Sequence, residues 1–155
     1  MGPAVQLRPV RGEDGEFLAC LYASTREEEL VPTGWSDEQK RLFCRMQFDA
    51  QAAHYREHYP AAEYSVIECG GVAGGRLYVN RGAKEIRIMD LALLPEWRGK
   101  GIGSRLLREL QEEAAVGGMR LSIHVEKFNP ALRLYERLGF QPAEDRGVYL
   151  LLSWG

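Results

Sequence analysis

Polar and apolar positions alternate over Val5 to Pro9, as in a strand with one buried face, and the period then lengthens to that of a helix. After Gly12-Glu13-Asp14, the residues Phe17, Leu18, Leu21 and Tyr22 recur at helical spacing and predict a first helix. A second helix is expected beyond Trp35, where Ser36 and Gln39 make a capping-box pattern and Leu42, Phe43, Met46, Ala50 and Ala53 trace an apolar stripe. Tyr64 to Glu68, Val72 to Val79 and Lys84 to Leu94 read as successive antiparallel strands, with turns at Gly70-Gly71 and around Gly82. Helical spacing returns at Ile102, Leu106, Leu107, Leu110 and Ala114, and Leu121 to Val125 alternates as a strand. Asn129 suits a helix N-cap, Pro130 the first helical position and Gly139 the left-handed residue after a helix, so a short helix is expected to end at Leu138. Gln141 to Ala143 and Val148 to Trp154 supply the last strands. The order predicts one α+β (mixed α/β) domain over residues 1–155, with a central, largely antiparallel sheet flanked by helices.

Between the strand ending at Leu94 and the helix of Ile102 lies the most informative local sequence, Arg98-Gly99-Lys100-Gly101-Ile102-Gly103-Ser104. Its glycines tolerate positive φ and let backbone N–H groups approach a ligand closely. The helix start adds unpaired N–H donors and the positive end of the helix dipole, so with Arg98 and Lys100 the run makes an anion site suited to a pyrophosphate. Two familiar glycine motifs fail here. A dinucleotide fingerprint would need glycine where Ser104 or Leu106 stands, and a P-loop would need glycine at Leu94 and a hydroxyl residue at Gly101.

The wording Leu93-Leu94-Pro95-Glu96-Trp97-Arg98-Gly99-Lys100-Gly101-Ile102-Gly103 resembles the coenzyme A signature of the GNAT superfamily of N-acetyltransferases. Asn129-Pro130-Ala131-Leu132-Arg133-Leu134-Tyr135-Glu136-Arg137-Leu138-Gly139-Phe140 looks like the last motif block of the same superfamily. The resemblance implies a GNAT-like fold with a V-shaped cofactor cleft between the strands ending near Leu94 and Val125. It implies acetyl-CoA as co-substrate, its pantetheine arm paired with the backbone of Leu91, Ala92 and Leu93 and its pyrophosphate on the amides of Arg98, Gly99, Lys100, Gly101, Ile102, Gly103 and Ser104. It further implies that Asn129 contacts the pantetheine or phosphate region and that Tyr135 protonates the leaving sulfur while an amine attacks the acetyl carbonyl directly. An unperturbed phenol, with pKa about 10, carries the proton this requires. The amine must itself lose a proton, for which Asp90 is the favoured base, with Glu85, Glu126 and His124 as alternatives. Side chains near Leu91, Leu93 and Ile123 would set acyl preference. Family members are often dimers, so a homodimer is an expectation.

The resemblance also implies a primary amine as acceptor, of a small molecule or a peptide, with its walls supplied mainly by the first two helices and their loop, roughly Tyr22 to Tyr59. Glu27-Glu28-Glu29 beside Thr33-Gly34-Trp35 offers an acidic, aromatic lip for a cation, against the plain reading of a solvated helix face. A formal charge of −2 without a basic stripe argues against nucleic acid. There is no long apolar run for a membrane, and Met1-Gly2-Pro3 lacks the basic-then-apolar pattern of a secretory signal, so the expected location is the cytoplasm. Cys20, Cys44 and Cys69 are odd in number and widely spaced, which favours free thiols over a disulfide framework or a zinc knuckle. No metal is expected. Two other functions fit parts of the chain. His54-Tyr55-Arg56-Glu57-His58 matches the H-x-x-E-H pattern of inverted zinc hydrolases, and a module that binds acyl-CoA without catalysis would keep the cleft but turn over no amine.

Overall fold

A computed structural model describes residues 4–127, 129 and 131–155. The readings made on Met1-Gly2-Pro3 and on Pro130 as first helical residue lie outside the described residues. The chain runs β1 (Val5–Pro9), α1 (Gly15–Leu30), α2 (Asp37–His58), β2 (Glu63–Cys69), β3 (Val72–Arg81) and β4 (Glu85–Leu93). It continues through α3 (Ile102–Gly117), β5 (Arg120–Glu126), α4 (Leu132–Arg137), β6 (Gln141–Arg146) and β7 (Tyr149–Trp154). Together these make the expected α+β architecture. The seven strands form one sheet in the order β1-β2-β3-β4-β5-β7-β6. Only the β4–β5 pair is parallel, which the intervening helix α3 permits by carrying the chain back across the sheet.

That parallel pair is short. Glu85 to Ile88 lie opposite Arg120 to Ile123, and there the pairing ends, although β4 runs on to Leu93 and β5 to Glu126. Beyond Ile88 the two strands belong to different neighbours, β4 to β3 and β5 to β7. A register shift between Tyr78 and Val79, which face Asp90 and Ile88, leaves Met89 as the extra residue of a β-bulge at the point of parting.

Each side of the sheet carries its own core. On one, Leu106, Leu107, Leu110 and Ala114 of α3 pack with Ile86 and Ile88 of β4 and Leu121 and Ile123 of β5. The other holds a smaller cluster of Leu18, Tyr22 and Leu30 from α1 with Cys44 and Phe48 from α2. At Gly75 the backbones of β3 and β4 come so close that a Cβ would lie 2.3 Å from the Ala92 carbonyl oxygen, so no larger residue fits there without moving β4.

Three predicted elements are corrected. Helix α2 has the capping box foreseen, Ser36 Oγ accepting from the Gln39 N–H at 3.1 Å and Gln39 Oε1 accepting from the Ser36 N–H at 2.9 Å. Its buried face, however, is Cys44 and Phe48 with Gln51, Ala52 and Tyr55 half-buried, whereas Leu42 is 58% and Met46 70% exposed. Ala50 and Ala53 are exposed too. Two offset stripes share this helix, and the one that docks carries Gln51 and Tyr55, which make polar contacts inside the molecule. Helix α4 starts at Leu132, later than expected, because Asn129 folds the chain into a turn first: its Oδ1 accepts from the Ala131 N–H at 2.8 Å. Gly139 ends it with φ +94°, as its composition required. Strand β6 also runs to Arg146, longer than predicted. No helix among the described residues is long and apolar enough to cross a membrane. All three cysteines are free thiols, Cys44 and Cys69 buried and Cys20 exposed.

Candidate active site

Where β4 and β5 part, the sheet opens a cleft of about 420 Å³. From β4 come Arg87, Met89, Asp90 and Leu91, and from β5 come Ile123, His124, Val125 and Glu126. Helix α2 closes one side with Gln51, His54 and Tyr55. Tyr135 of α4 enters from the other side of the sheet, and Arg146 and Tyr149 close the β6–β7 end.

Tyr135 is 4% exposed and packs edge-on against Phe140, with ring centroids 5.9 Å apart. Burial, with the charges of Asp90 and Glu126 adding to it, pushes its phenol well above the usual tyrosine range, so the group holds its proton at neutral pH. Its hydroxyl has no hydrogen-bond partner among the described residues, and the residue lines the cleft. Asn129 lines the same cleft but is already occupied, capping the turn before α4 and donating from Nδ2 to Glu126 Oε2 at 3.3 Å.

Asp90 stands next to the bulge, in an ion pair with Arg76 of β3 whose Nε donates to Oδ2 at 2.5 Å. Arg76 is 2% exposed, donates from Nη2 to Gln51 Oε1 of α2 at 2.7 Å, and lies 4.7 Å over the ring of Tyr78. Tyr55 of α2 donates its phenol to the Met89 carbonyl at 3.3 Å. Helix α2 is thereby tied to the bulge twice, once through Gln51 and Arg76 and once through Tyr55. The other base candidates differ in their freedom. Glu85 pairs with Arg87 at 3.0 Å and does not line the cleft. His124 Nε2 lies 2.6 Å from Arg146 Nη1; a guanidinium can only donate, so Nε2 is the unprotonated nitrogen and its lone pair is in use. Burial and the charges of Arg87 and Arg146 lower the His124 pKa and keep the ring neutral. Glu126 faces the cleft with Asn129 as its only side-chain partner among the described residues.

The glycine run lies next to this cleft without lining it. Gly99 and Gly101 have φ +72° and +80°, conformations that exclude most side chains, and Gly101 caps α3 with no side-chain acceptor for the first-turn amides of Ile102, Gly103 and Ser104. The geometry fits an anion: free donors, an aligned helix dipole, and open space around both glycines. Gly103 packs against Leu134, the residue before Tyr135, which links the loop to the cleft. Arg98 turns back, donating from Nε to the Leu93 carbonyl at 2.9 Å, while Lys100 is exposed. Along β4 the Leu94 N–H bonds to the Gly74 carbonyl of the β3 side, so by alternation the backbone of Ala92 is also spent on β3 and that of Leu91 and Leu93 points toward the gap. An extended chain entering the gap therefore meets unpaired backbone groups at Leu91 and at the Leu93 N–H.

Several predicted features stay apart from the cleft. Glu27, Glu28 and Glu29 are exposed and do not line it, Arg26 engages Glu29, and Trp35 packs edge-on against Phe43 with centroids 5.2 Å apart. The rings of His54 and His58 stack at 4.4 Å, but no group of three or more metal-ligating side chains is assembled among the described residues, so the zinc-hydrolase reading lacks its third ligand. Arg76, Arg87, Arg146 and Tyr149 were not singled out from the sequence. For Arg76, Arg87 and Tyr149 the one local signal is charge or aromaticity within largely apolar strands, as in Arg87 between Ile86 and Ile88, and Arg146, on the polar strand β6, carries none.

A family model for the acetyltransferase (GNAT) domain matches residues 56–142. A Bacillus subtilis protein described provisionally as a [ribosomal protein bS18]-alanine N-acetyltransferase is 31% identical over 61% of this chain and 69% of its own length. The N-alpha-acetyltransferase RimI of Mycobacterium tuberculosis is also 31% identical, over 68% of this chain and 66% of its own. Among solved structures, PaiA N-acetyltransferase from Thermoplasma acidophilum in complex with coenzyme A superposes with a TM-score of 0.73 at 17% identity, covering 97% of this chain and 98% of that one. Arabidopsis thaliana Naa50 in complex with the bisubstrate analogue CoA-Ac-MVNAL gives 0.63 at 21%, covering 97% and 98%.

Proposed function

The chain belongs to the GNAT acetyltransferase family, and we propose that it moves an acetyl group from acetyl-CoA to a primary amine by direct attack in the cleft between β4 and β5. The observation that carries the reading is the parting of these strands beside a buried, protonated tyrosine, with an uncapped glycine-rich helix start on the neighbouring turn. Relatives crystallised with coenzyme A or a bisubstrate analogue support the choice of donor. The bound thioester supplies an activated acyl carbonyl.

This chain's residues then have separable tasks. The amides of Ile102, Gly103 and Ser104 bind the pyrophosphate, and the free backbone of Leu91 with the Leu93 N–H pairs with the pantetheine arm. Tyr135 gives its proton to the sulfur as the C–S bond breaks and the N–C bond forms. Of the two carboxylates near the phenol, Asp90 is held by Arg76, so it orients and attracts the amine. Glu126, free of any cationic partner among the described residues, takes the amine proton directly or through water. Glu126 is preferred to Asp90 as the base because Asp90 Oδ2 is engaged by the Arg76 guanidinium, whereas Glu126 has only Asn129 as a side-chain partner among the described residues.

The names of the two bacterial relatives give an alanine of ribosomal protein bS18 and N-alpha acetylation, and an α-amine is the acceptor class supported best. Thiol release from acetyl-CoA should rise above hydrolysis when α-amines of amino acids and short peptides are supplied. A protein that binds acetyl-CoA but releases thiol no faster with any amine would be the non-catalytic module instead.

A further inference from the structure

The cleft is charged at both ends. At one, Glu126 and Asp90 stand near the Tyr135 phenol and act on it electrostatically. At the other, Arg87 and Arg146 flank His124 and both act on its ring. Alternation along β5 puts His124 and Glu126 on one face of the strand, about 7 Å apart. Ser122, the next residue on that face, accepts from Arg87 Nε at 2.6 Å, so Arg87 belongs to the same face. The two arginines line the cleft, while the carboxylates that brace them, Glu85 and Glu144, do not. Each guanidinium keeps donors beyond those used: Arg87 binds Ser122 and Glu85 through Nε and Nη2, and Arg146 binds His124 and Glu144 through Nη1 and Nη2. Nothing in the transfer of an acetyl group to a simple amine needs two guanidinium groups facing the acceptor. A planar donor fork is the geometry that recognises a carboxylate.

We propose that the acceptor is an amine carrying a carboxylate a few bonds away, with its amine at Glu126 and Asp90 and its carboxylate on Arg146 and Arg87. This rests on the acetyltransferase reading and names its substrate class. The carboxylate has two sources, the α-carboxylate of a free amino acid or the side chain of an acidic residue at a peptide N-terminus. Arg146 is the better probe of the pair, being the more exposed, so that Arg146→Gln leaves the packing intact.

The test compares kcat/KM at saturating acetyl-CoA for alanine, alaninamide, an aspartyl peptide amide and spermidine. Carboxylate-bearing amines are expected to exceed alaninamide about tenfold or more, the effect of one charge-assisted hydrogen bond. Alanine leading identifies a free amino acid; the aspartyl peptide leading identifies an acidic N-terminus. In Arg146→Gln the preference over alaninamide should fall about tenfold. Equal or better use of alaninamide or spermidine, or a preference unchanged in Arg146→Gln, overturns the inference while the acetyltransferase reading stands. If none of the four amines is acetylated, product binding decides the inference, while thiol release with other amines decides the acetyltransferase reading. Protein loaded with coenzyme A should be stabilised against heat more by N-acetylalanine than by N-acetylalaninamide, and only with Arg146 in place; equal stabilisation overturns it.

Discussion

Tyr135→Phe is expected to lower acetyl transfer about a hundredfold or more while acetyl-CoA affinity and thermal stability stay near those of the parent. The change removes one oxygen from a ring that packs against Phe140, so the apolar contacts survive. No hydrogen bond to a described residue is lost with it, because the phenol faces the cleft. Transfer, by contrast, loses its proton donor. A positioned general acid contributes about 10²–10⁴ in rate, and water reaching the same spot recovers only part of that. Burial raises the phenol's pKa above its ordinary value, so the donor is protonated at every pH where the amine is free to react. Steady-state turnover at saturating acetyl-CoA, beside the melting temperature of the same preparation, reads both halves. An unchanged rate would remove Tyr135 from the chemistry.

The second large effect is on stability. Arg76→Met should cost about 3–5 kcal/mol, the range found when one partner of a buried ion pair is removed, because Asp90 and Gln51 both lose the donor that satisfies them. In a chain of this length that is a fall in melting temperature of about 6–20 °C. Methionine fills much of the volume between Tyr78 and Tyr22, so the loss reports the polar network more than a cavity. Pairing it with Asp90→Leu should restore part of the loss, since no charge is then left without its partner. Thermal unfolding of both variants decides the matter. A drop of less than about 1 kcal/mol for Arg76→Met would mean that Asp90 finds water in the cleft and that α2 is held by packing alone.

How far the sequence leads depends on whether a feature is local. The strand, the turn and the helix around Gly99 and Gly101 are set by neighbours in the chain, and their positive φ values and uncapped helix start could be anticipated from glycine chemistry. The same holds for Tyr135, whose helix is bounded by Asn129 and Gly139. The α2 stripe misleads because two faces of one helix carry apolar residues, and which one docks is decided by α1 and the sheet. Neither Leu42 nor Met46 tells that Phe48 is the residue covered. Arg76 and Asp90 meet across a register that contains a bulge, and Arg146 reaches His124 from a strand beyond β7. Those encounters belong to the sheet order. The Glu27-Glu28-Glu29 run is local and conspicuous in the sequence, yet all three residues are exposed and none lines the cleft between β4 and β5.

The central claim is that the parted strands and the uncapped start of α3 together bind acetyl-CoA, and thermal unfolding with and without that compound tests it most directly. At about a hundred times its dissociation constant, a ligand that binds only the native protein adds about 2.7 kcal/mol, a rise of about 5–11 °C for this chain length. Such a rise with acetyl-CoA, shared by free coenzyme A and absent with a nicotinamide dinucleotide, is the predicted result. A folded protein whose melting temperature moves with neither acetyl-CoA nor coenzyme A would contradict the account.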